Sequence, residues 1–403
     1  MNTNITYNFN VKNIYNFDNK DYTIKNYTYN NVDYKIIKYN KERLEHYKKT
    51  DIDKFIELGK FRSVILKNDK LLVFSPPKSI DINVFKDRYT DINKCWIEDF
   101  IDGTMINLFF DTTNNSWEIS TKSLVGGNSY FYDNNNHTFR SMFFEACNAN
   151  NFNINSLPQL YKYTFVMQHP NNRIVTPIDL PKLFLVKIYE ITDTTNNTYK
   201  ITEINTTNFA NTPPYIFLNT GVIVLYKYNI TSYDDIDNHY NSNVPYYCVG
   251  SMIFNEDGTR TKIRNNNYEY VRKLRGNQPK LQYNYLCLKK ENKVKEFLQF
   301  YPEHKNEFNN FKNQIYNYTN DLFLNYISCF IRKEKMLKDY DFQFKTHMYK
   351  IHEEYKNKLA SQNKKIDKKF VIDYINNLHP AQQMFVVNYS NYNNKPNEIV
   401  MLE

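Results

Sequence analysis

Apolar and polar positions keep two different periods along this chain, and the change from one to the other falls near residue 290. From about 60 to 265 the apolar residues come in short runs and alternations, the period of half-buried strands. Phe61–Leu66 and Leu71–Phe74 predict a hairpin over Asn68-Asp69. Ser75-Pro76-Pro77-Lys78-Ser79 closes it, because proline cannot donate to a ladder. Trp96 to Gly127 reads as strand, Asp102-Gly103 turn, strand from Met105 to Phe110, polar turn from Asp111 to Ser116, strand from Trp117 to Thr121, and a Gly126-Gly127 stop. By pattern alone this is an ordinary β-meander. Tyr163–Val175 predicts a buried strand followed by a turn at Pro170-Asn171-Asn172, and Leu183–Ile191 and Gly221–Tyr226 predict further strands, with a Thr/Asn-rich loop over Thr192–Pro214. Tyr246–Arg264 predicts a hairpin around Asn255-Glu256-Asp257-Gly258.

Helices interrupt this region at three places. They are Asp51–Leu58, Asn136–Ala149 (Phe139, Met142, Phe143 and Ala146 on one face) and a short piece near Asp234–Tyr240. After Val294 the 3.6-residue period takes over, in Val294–Phe300, Glu303–Ser328, Lys345–Leu359 and Phe370–Leu378. The fold class expected is therefore α+β: an antiparallel-sheet domain over 31–290, then an all-helical C-terminal domain over 291–403. Residues 1–30 form a poorly ordered or edge segment.

Composition narrows the partners. The formal charge of +9 is compatible with a polyanion without demanding one. The five cysteines stand singly, with no metal-ligand spacing and no disulfide framework, and read as reduced thiols. No apolar leader and no run of about 18 apolar residues is visible, so neither secretion nor a membrane span is expected. The location expected is cytoplasmic. Abundant Asn, Lys and Ile beside 36 Tyr and 29 Phe resemble proteins of AT-rich protozoa or of large DNA viruses of protists. For a virus the location becomes host cytoplasm, viral factory or virion. Gly-x-x-x-x-Gly-Lys, Gly-x-Ser-x-Gly and His-Glu-x-x-His are all missing.

The stretch Phe100-Ile101-Asp102-Gly103-Thr104, a strand, a turn, then Ser120-Thr121-Lys122-Ser123, resembles the adenylation domain of phage-type ATP-dependent RNA ligases. These belong to the covalent nucleotidyltransferase superfamily. The family carries Lys-x-Asp-Gly, whose lysine takes the AMP; here that position is Phe100. Arg62 and its hairpin are similar to the block that brings an arginine to the nucleotide phosphates. Pro170 with Asn172-Arg173-Ile174-Val175 resembles the segment after the family's third motif, and this register puts Val166 where the family has a glutamate. Val249-Gly250 stands at a Glu-Gly position, and Lys262-Ile263-Arg264 at a Lys-x-Lys position. Strand period two sets Lys262 and Arg264 on one face, fit for phosphates.

The resemblance covers Gly59 to Arg264. It implies nucleotide and phosphate binding by Arg62, Asp102, Gly103, Lys262 and Arg264, and a helical C-terminal domain used for substrate choice. Loss of the lysine and both glutamates implies a scaffold that binds RNA or nucleotide and no longer adenylates itself. Two alternatives stand beside it. One is a working ligase on a displaced lysine, Lys122 ahead of Lys94, with ATP and Mg²⁺ as cofactors in that case only. The other is a structural or assembly protein with a vestigial cleft. RNA is the expected partner, with no membrane and no metal ligands. Arg272, Lys273, Arg275 and Lys280, within the basic, tyrosine-rich segment 268–290, are the expected nucleic-acid contacts. His169, before Pro170, is readable as an acid/base group or as a structural strand-end histidine.

Overall fold

A computed structural model describes residues 4–10, 20–131, 137–195, 198–206, 216–241 and 244–389. The chain divides into two compact units, Met1–Lys273 and Leu274–Glu403. The first begins with strands β1 (Thr6–Asn10), β2 (Tyr22–Tyr29) and β3 (Val32–Tyr39) and helices α1 (Lys41–Thr50) and α2 (Ile52–Gly59). β4 (Val64–Lys67), β5 (Lys70–Phe74), α3 (Ile82–Arg88), β6 (Cys95–Asp99), β7 (Thr104–Asp111), β8 (Ser116–Ser120) and α4 (Phe139–Ala149) come next. Then come β9 (Tyr161–Gln168), β10 (Lys182–Thr195), β11 (Thr198–Glu203), β12 (Ile223–Val224), β13 (Tyr228–Asn229), α5 (Tyr233–Asn241), β14 (Gly250–Asn255) and β15 (Arg260–Arg264). Helix α6 (Asn266–Arg275) runs across the division.

Three sheets result. The largest runs β1-β11-β10-β9-β7-β8, with β12 parallel beside β10; the second is β2-β3-β4-β5; the third is β13-β6-β14-β15. Alternation decides which faces are covered. In the large sheet Ile106, Leu108, Tyr163, Phe165, Met167, Leu183 and Leu185 point to one side, where Met142, Phe143 and Ala146 of α4 complete the core. Phe109, on the opposite face of β7, packs with Tyr34, Ile36, Ile65 and Val73 of the second sheet. In the third sheet Cys95, Ile253 and Ile263 share a core with Leu44, Phe55 and Phe85 of the flanking helices.

The observed elements correct several expectations. The supposed meander is split, because β6 pairs with β14 in the third sheet while β7 pairs with β8 and β9 in the first. Ile101–Gly103 is therefore a crossing between sheets and not a hairpin turn. The loop expected over Thr192–Pro214 begins as the continuation of β10 and returns as β11; residues 196–197 and 207–214 lie outside the described residues. Gly221–Tyr226 contributes only β12. Within 1–30, Thr6–Asn10 is an edge strand on β11 and Tyr22–Tyr29 an edge strand on β3; 1–3 and 11–19 lie outside the described residues, as does Asn136 of the predicted helix.

The second unit is helical: α7 (Leu281–Lys290), α8 (Val294–Phe300), α9 (Lys305–Tyr326), α10 (Phe342–Glu354), α11 (Lys368–Asn377) and α12 (Pro380–Val387). Where the sequence drew the boundary after residue 290, α7 lies with this unit. Its Tyr285 ring sits 5.1 Å from Phe308 and 5.9 Å from Phe311, and Gln282 bonds to Gln314 and Asn388. The helix predicted over Phe370–Leu378 is α11, and His379-Pro380 after it opens α12, since proline is favourable in a first turn and His379 accepts the Ala381 N–H. Among the described residues no helix is long and apolar enough to cross a membrane.

Candidate phosphate-binding site

Three rows of side chains cross the third sheet on the face turned from its helix-packed core. Antiparallel register sets Trp96, Phe254 and Arg260 in one row and Glu98, Met252 and Lys262 in the next. The third row is Phe100, Gly250 and Arg264: the Phe100 N–H donates to the Gly250 carbonyl at 3.1 Å, and Gly250 is opposite Arg264. The Arg264 guanidinium stands 5.2 Å above the Phe100 ring. Gly250 permits this, because a Cβ there would press on the Ile263 carbonyl and lie 2.8 Å from the Arg264 Cα; its φ of +135° is itself unsuited to other residues.

Two further segments bring cations to this face. Ile80 N–H bonds to the Arg260 carbonyl and Thr261 Oγ1 donates to the Ile80 carbonyl, so Pro76–Ile80 lies along β15 and carries Lys78 there. The Tyr39 N–H donates to the Phe61 carbonyl at 2.8 Å, which sets Arg62 beside Tyr39, and Lys122 Nζ donates to the Tyr39 hydroxyl at 3.5 Å. Arg62, Lys78, Lys122, Lys262 and Arg264 thus belong to one electrostatic neighbourhood. Burial, then Arg264, Lys78, Arg62 and Arg272, push the Lys262 ammonium down to about 7 from lysine's ordinary 10.5. Burial and Arg62 lower Lys122, and burial lowers Lys78 with help from Arg62 and Lys122. Burial and Arg260 bring Arg62 down to about 10. Among the described residues none of Arg62, Lys78, Lys122 and Lys262 has a carboxylate partner, whereas Arg264 pairs with Glu269, which Arg272 also reaches at 3.3 Å. Gathering unneutralised cations in half-buried positions opposes folding, and an anion removes that opposition.

The Asp102 carboxylate is engaged within the protein itself. It is buried and accepts the Val175 and Thr176 N–H groups at 2.9 and 3.1 Å and the Tyr268 hydroxyl at 2.8 Å. These three donors tie the crossing from β6 to β7 to the segment after β9 and to α6. Gly103 lies against β9, where a Cβ would sit 2.5 Å from the Met167 carbonyl and 2.7 Å from Val166 Cγ1. Val166, opposite Met105, therefore packs on the Asp102-Gly103 backbone, and Val249 is buried just ahead of β14.

His169 is committed at both ring nitrogens. Nδ1 accepts the Asn171 N–H at 3.2 Å, so Nε2 holds the proton and donates to Glu145 at 3.0 Å. That is the structural role. Lys94 is exposed and pairs with Asp91 at 3.7 Å. Lys273 closes the first unit on α6, while Arg275 and Lys280 lie in the second. Sequence reasoning passed over a buried ion network on β6, β10 and β11: Lys187 donates to Glu98 at 3.1 Å and to Glu203 at 2.8 Å. Burial alone would lower that ammonium, and Glu203 and Glu98 raise it. Its one sequence signal is a lysine inside an apolar strand, Leu183–Ile191.

The site presents unneutralised cations, which suit an anion. A divalent cation does not fit it. Glu98 holds Lys187 and the Trp96 indole, Asp102 accepts from three donors of the protein, and Glu269 holds two arginines. Among the described residues no three His, Cys, Asp or Glu side chains gather as a metal site.

No protein-family model matches the chain, and no curated protein does. Among solved structures it is similar to an archaeal ATP-dependent RNA ligase, form 2, at 9% identity and TM-score 0.35, over 56% of each chain. It is also similar to a putative ATP-dependent DNA ligase from Aquifex aeolicus, at 10% identity and TM-score 0.38, over 86% of this chain and 80% of that one. The chain thus spans little more than half the length of the archaeal ligase it matches. At these TM-scores neither likeness bears on function, which is left to the chain's own residues.

Proposed function

We propose that the first unit is an RNA- or nucleotide-binding scaffold of nucleotidyltransferase type that does not adenylate itself. One observation carries this reading. Arg62, Lys78, Lys122 and Lys262 gather without carboxylate partners, beside a phenyl ring where a nucleophilic lysine would stand. The cations bind phosphate by charge-assisted hydrogen bonds. Phe100 has no nucleophilic atom, and Val166 and Val249 offer nothing to a ribose or a metal. Arg264, held over Phe100 and tethered by Glu269, orients one phosphate oxygen pair at the row's end.

A second reading, a working ligase on a displaced lysine, is favoured by the Lys262 amine, which is about half neutral at pH 7 and so able to attack. Intact-mass analysis after incubation with ATP and Mg²⁺ separates the two. The scaffold reading expects the unmodified mass together with measurable nucleotide or RNA binding. An AMP adduct that disappears in Lys262→Ala or Lys122→Ala overturns it in favour of the ligase. Absence of both adduct and binding overturns it in favour of a structural protein.

A further inference from the structure

The basic site continues outward. Adjacent residues of the turn after β8 touch adjacent residues of β3: Lys122 Nζ reaches the Tyr39 hydroxyl, and Lys38 Nζ donates to Ser123 Oγ at 3.0 Å. This turn therefore lies across the end of β3. Beyond it stand Lys25 on the neighbouring edge strand β2 and Lys41 in the first turn of α1. Among the described residues Lys25, Lys38, Lys41 and Lys122 have no carboxylate partner, and Lys122, Lys25 and Lys41 each repel Lys38. Lys41 is also badly placed for its own helix, whose N-terminal end disfavours a cation. Lys25 Nζ lies 5.5 Å from the Tyr27 ring, so one half-buried aromatic ring stands beside the charges. Lys25 and Lys41 are exposed and contribute nothing to a core.

Resting on the phosphate site proposed for the first unit, we infer that the ligand is a single-stranded polynucleotide and not a free nucleotide. Its backbone runs from Lys262 and Arg62 past the Thr121–Ser123 turn onto a ridge formed by Lys25, Lys38 and Lys41. The ridge lies outside the stretch Gly59–Arg264 that carries the ligase resemblance. A nucleotide's phosphates occupy the inner cations and leave the ridge empty. A strand places successive diesters on both, and bases stack on rings beside the cations.

The test compares the full chain with Lys25→Gln/Lys38→Gln/Lys41→Gln and, as a pair at exposed positions with no folding role, Lys25→Gln/Lys41→Gln. The probes are inorganic triphosphate, an oligoadenylate dimer, an oligoadenylate octamer, and a polyglutamate of the octamer's charge. The triple variant is expected to lower the octamer's log–log salt slope by about 2, from about 0.7 per phosphate contact. The pair is expected to lower it by about 1.4 on the same basis. Triphosphate and dimer binding should stay at the level of the unaltered chain. An octamer that binds both variants with unchanged slope overturns the ridge while leaving the inner site standing. Triphosphate that fails to bind the unaltered chain, with the octamer still weakened by the variants, keeps the ridge and removes the inner site. Polyglutamate binding as tightly as the octamer overturns the assignment to nucleic acid.

Discussion

Binding at the inner site should consume a proton, and Lys262 should supply the place for it. In the free protein this ammonium titrates near 7, because burial and the charges of Arg264, Lys78, Arg62 and Arg272 oppose it. A depressed lysine costs folding stability below about pH 7. That cost fades between about 7 and 10.5, where the unfolded chain binds the proton and the folded chain does not. A phosphate beside Lys262 reverses the opposition and returns the pKa toward 10.5. Above pH 7, therefore, each binding event takes up one proton, and affinity falls up to about tenfold per pH unit. Between pH 7.5 and 9.5 the loss should be roughly 50- to 100-fold. An oligoadenylate with hydroxyl ends is the right ligand, since its diesters do not titrate there. Calorimetry in buffers of different ionisation enthalpy reads the proton directly. Lys262→Gln should bind weakly at pH 7 and remove this share of the pH dependence. Subtracting it cancels whatever Lys78 and Lys122 add. Equal pH dependence in the two proteins, or no proton uptake by the unaltered chain at pH 8.5, would refute the reasoning.

Two further predictions concern the frame around the site. Asp102→Ala strands the Val175 and Thr176 N–H groups and the Tyr268 hydroxyl, and should cost about 3 kcal/mol or more at 1–3 per buried group. Urea unfolding followed by fluorescence reports it, because the chain's two tryptophans, Trp96 and Trp117, both lie in the first unit; a loss below about 1 kcal/mol would mean the carboxylate anchors nothing. Lys187→Met leaves Glu98 and Glu203 buried without their cation and should cost about 3–5 kcal/mol. Adding Glu98→Gln and Glu203→Gln should restore most of that loss, and a triple variant no more stable than the single one contradicts the ion network as its cause.

The strands, the helices of the second unit and the change of period were legible because each buries one face, and burial imprints a period on sequence. Sheet membership was not legible. Trp96–Asp99 and Thr104–Asp111 read as neighbours, yet Asp102-Gly103 carries the chain from one sheet to another. An Asp-Gly pair marks a change of direction without choosing the sheet that the next strand joins. The same pair gave no sign of the partners of Asp102, whose three donors come from Val175, Thr176 and Tyr268, far along the chain. Period two correctly set Lys262 and Arg264 on one face. It said nothing of Lys78, whose approach depends on Pro76–Ile80 lying along β15. Lys122 was the favoured candidate amine. The structure lowers it too, but brings Lys262 to about 7, because more cations converge there, a sum over residues distant in sequence.

The central claim is that these cations serve a phosphate backbone. Its most direct test is the salt dependence of oligoadenylate binding at pH 6.5, where Lys262 is charged, for the unaltered chain and for Arg62→Ala/Lys262→Ala/Arg264→Ala. Three lost contacts should reduce the slope of log K against log salt by about 2, at about 0.7 each. An unchanged slope in the variant, or no binding by the unaltered chain at low salt, would contradict the claim.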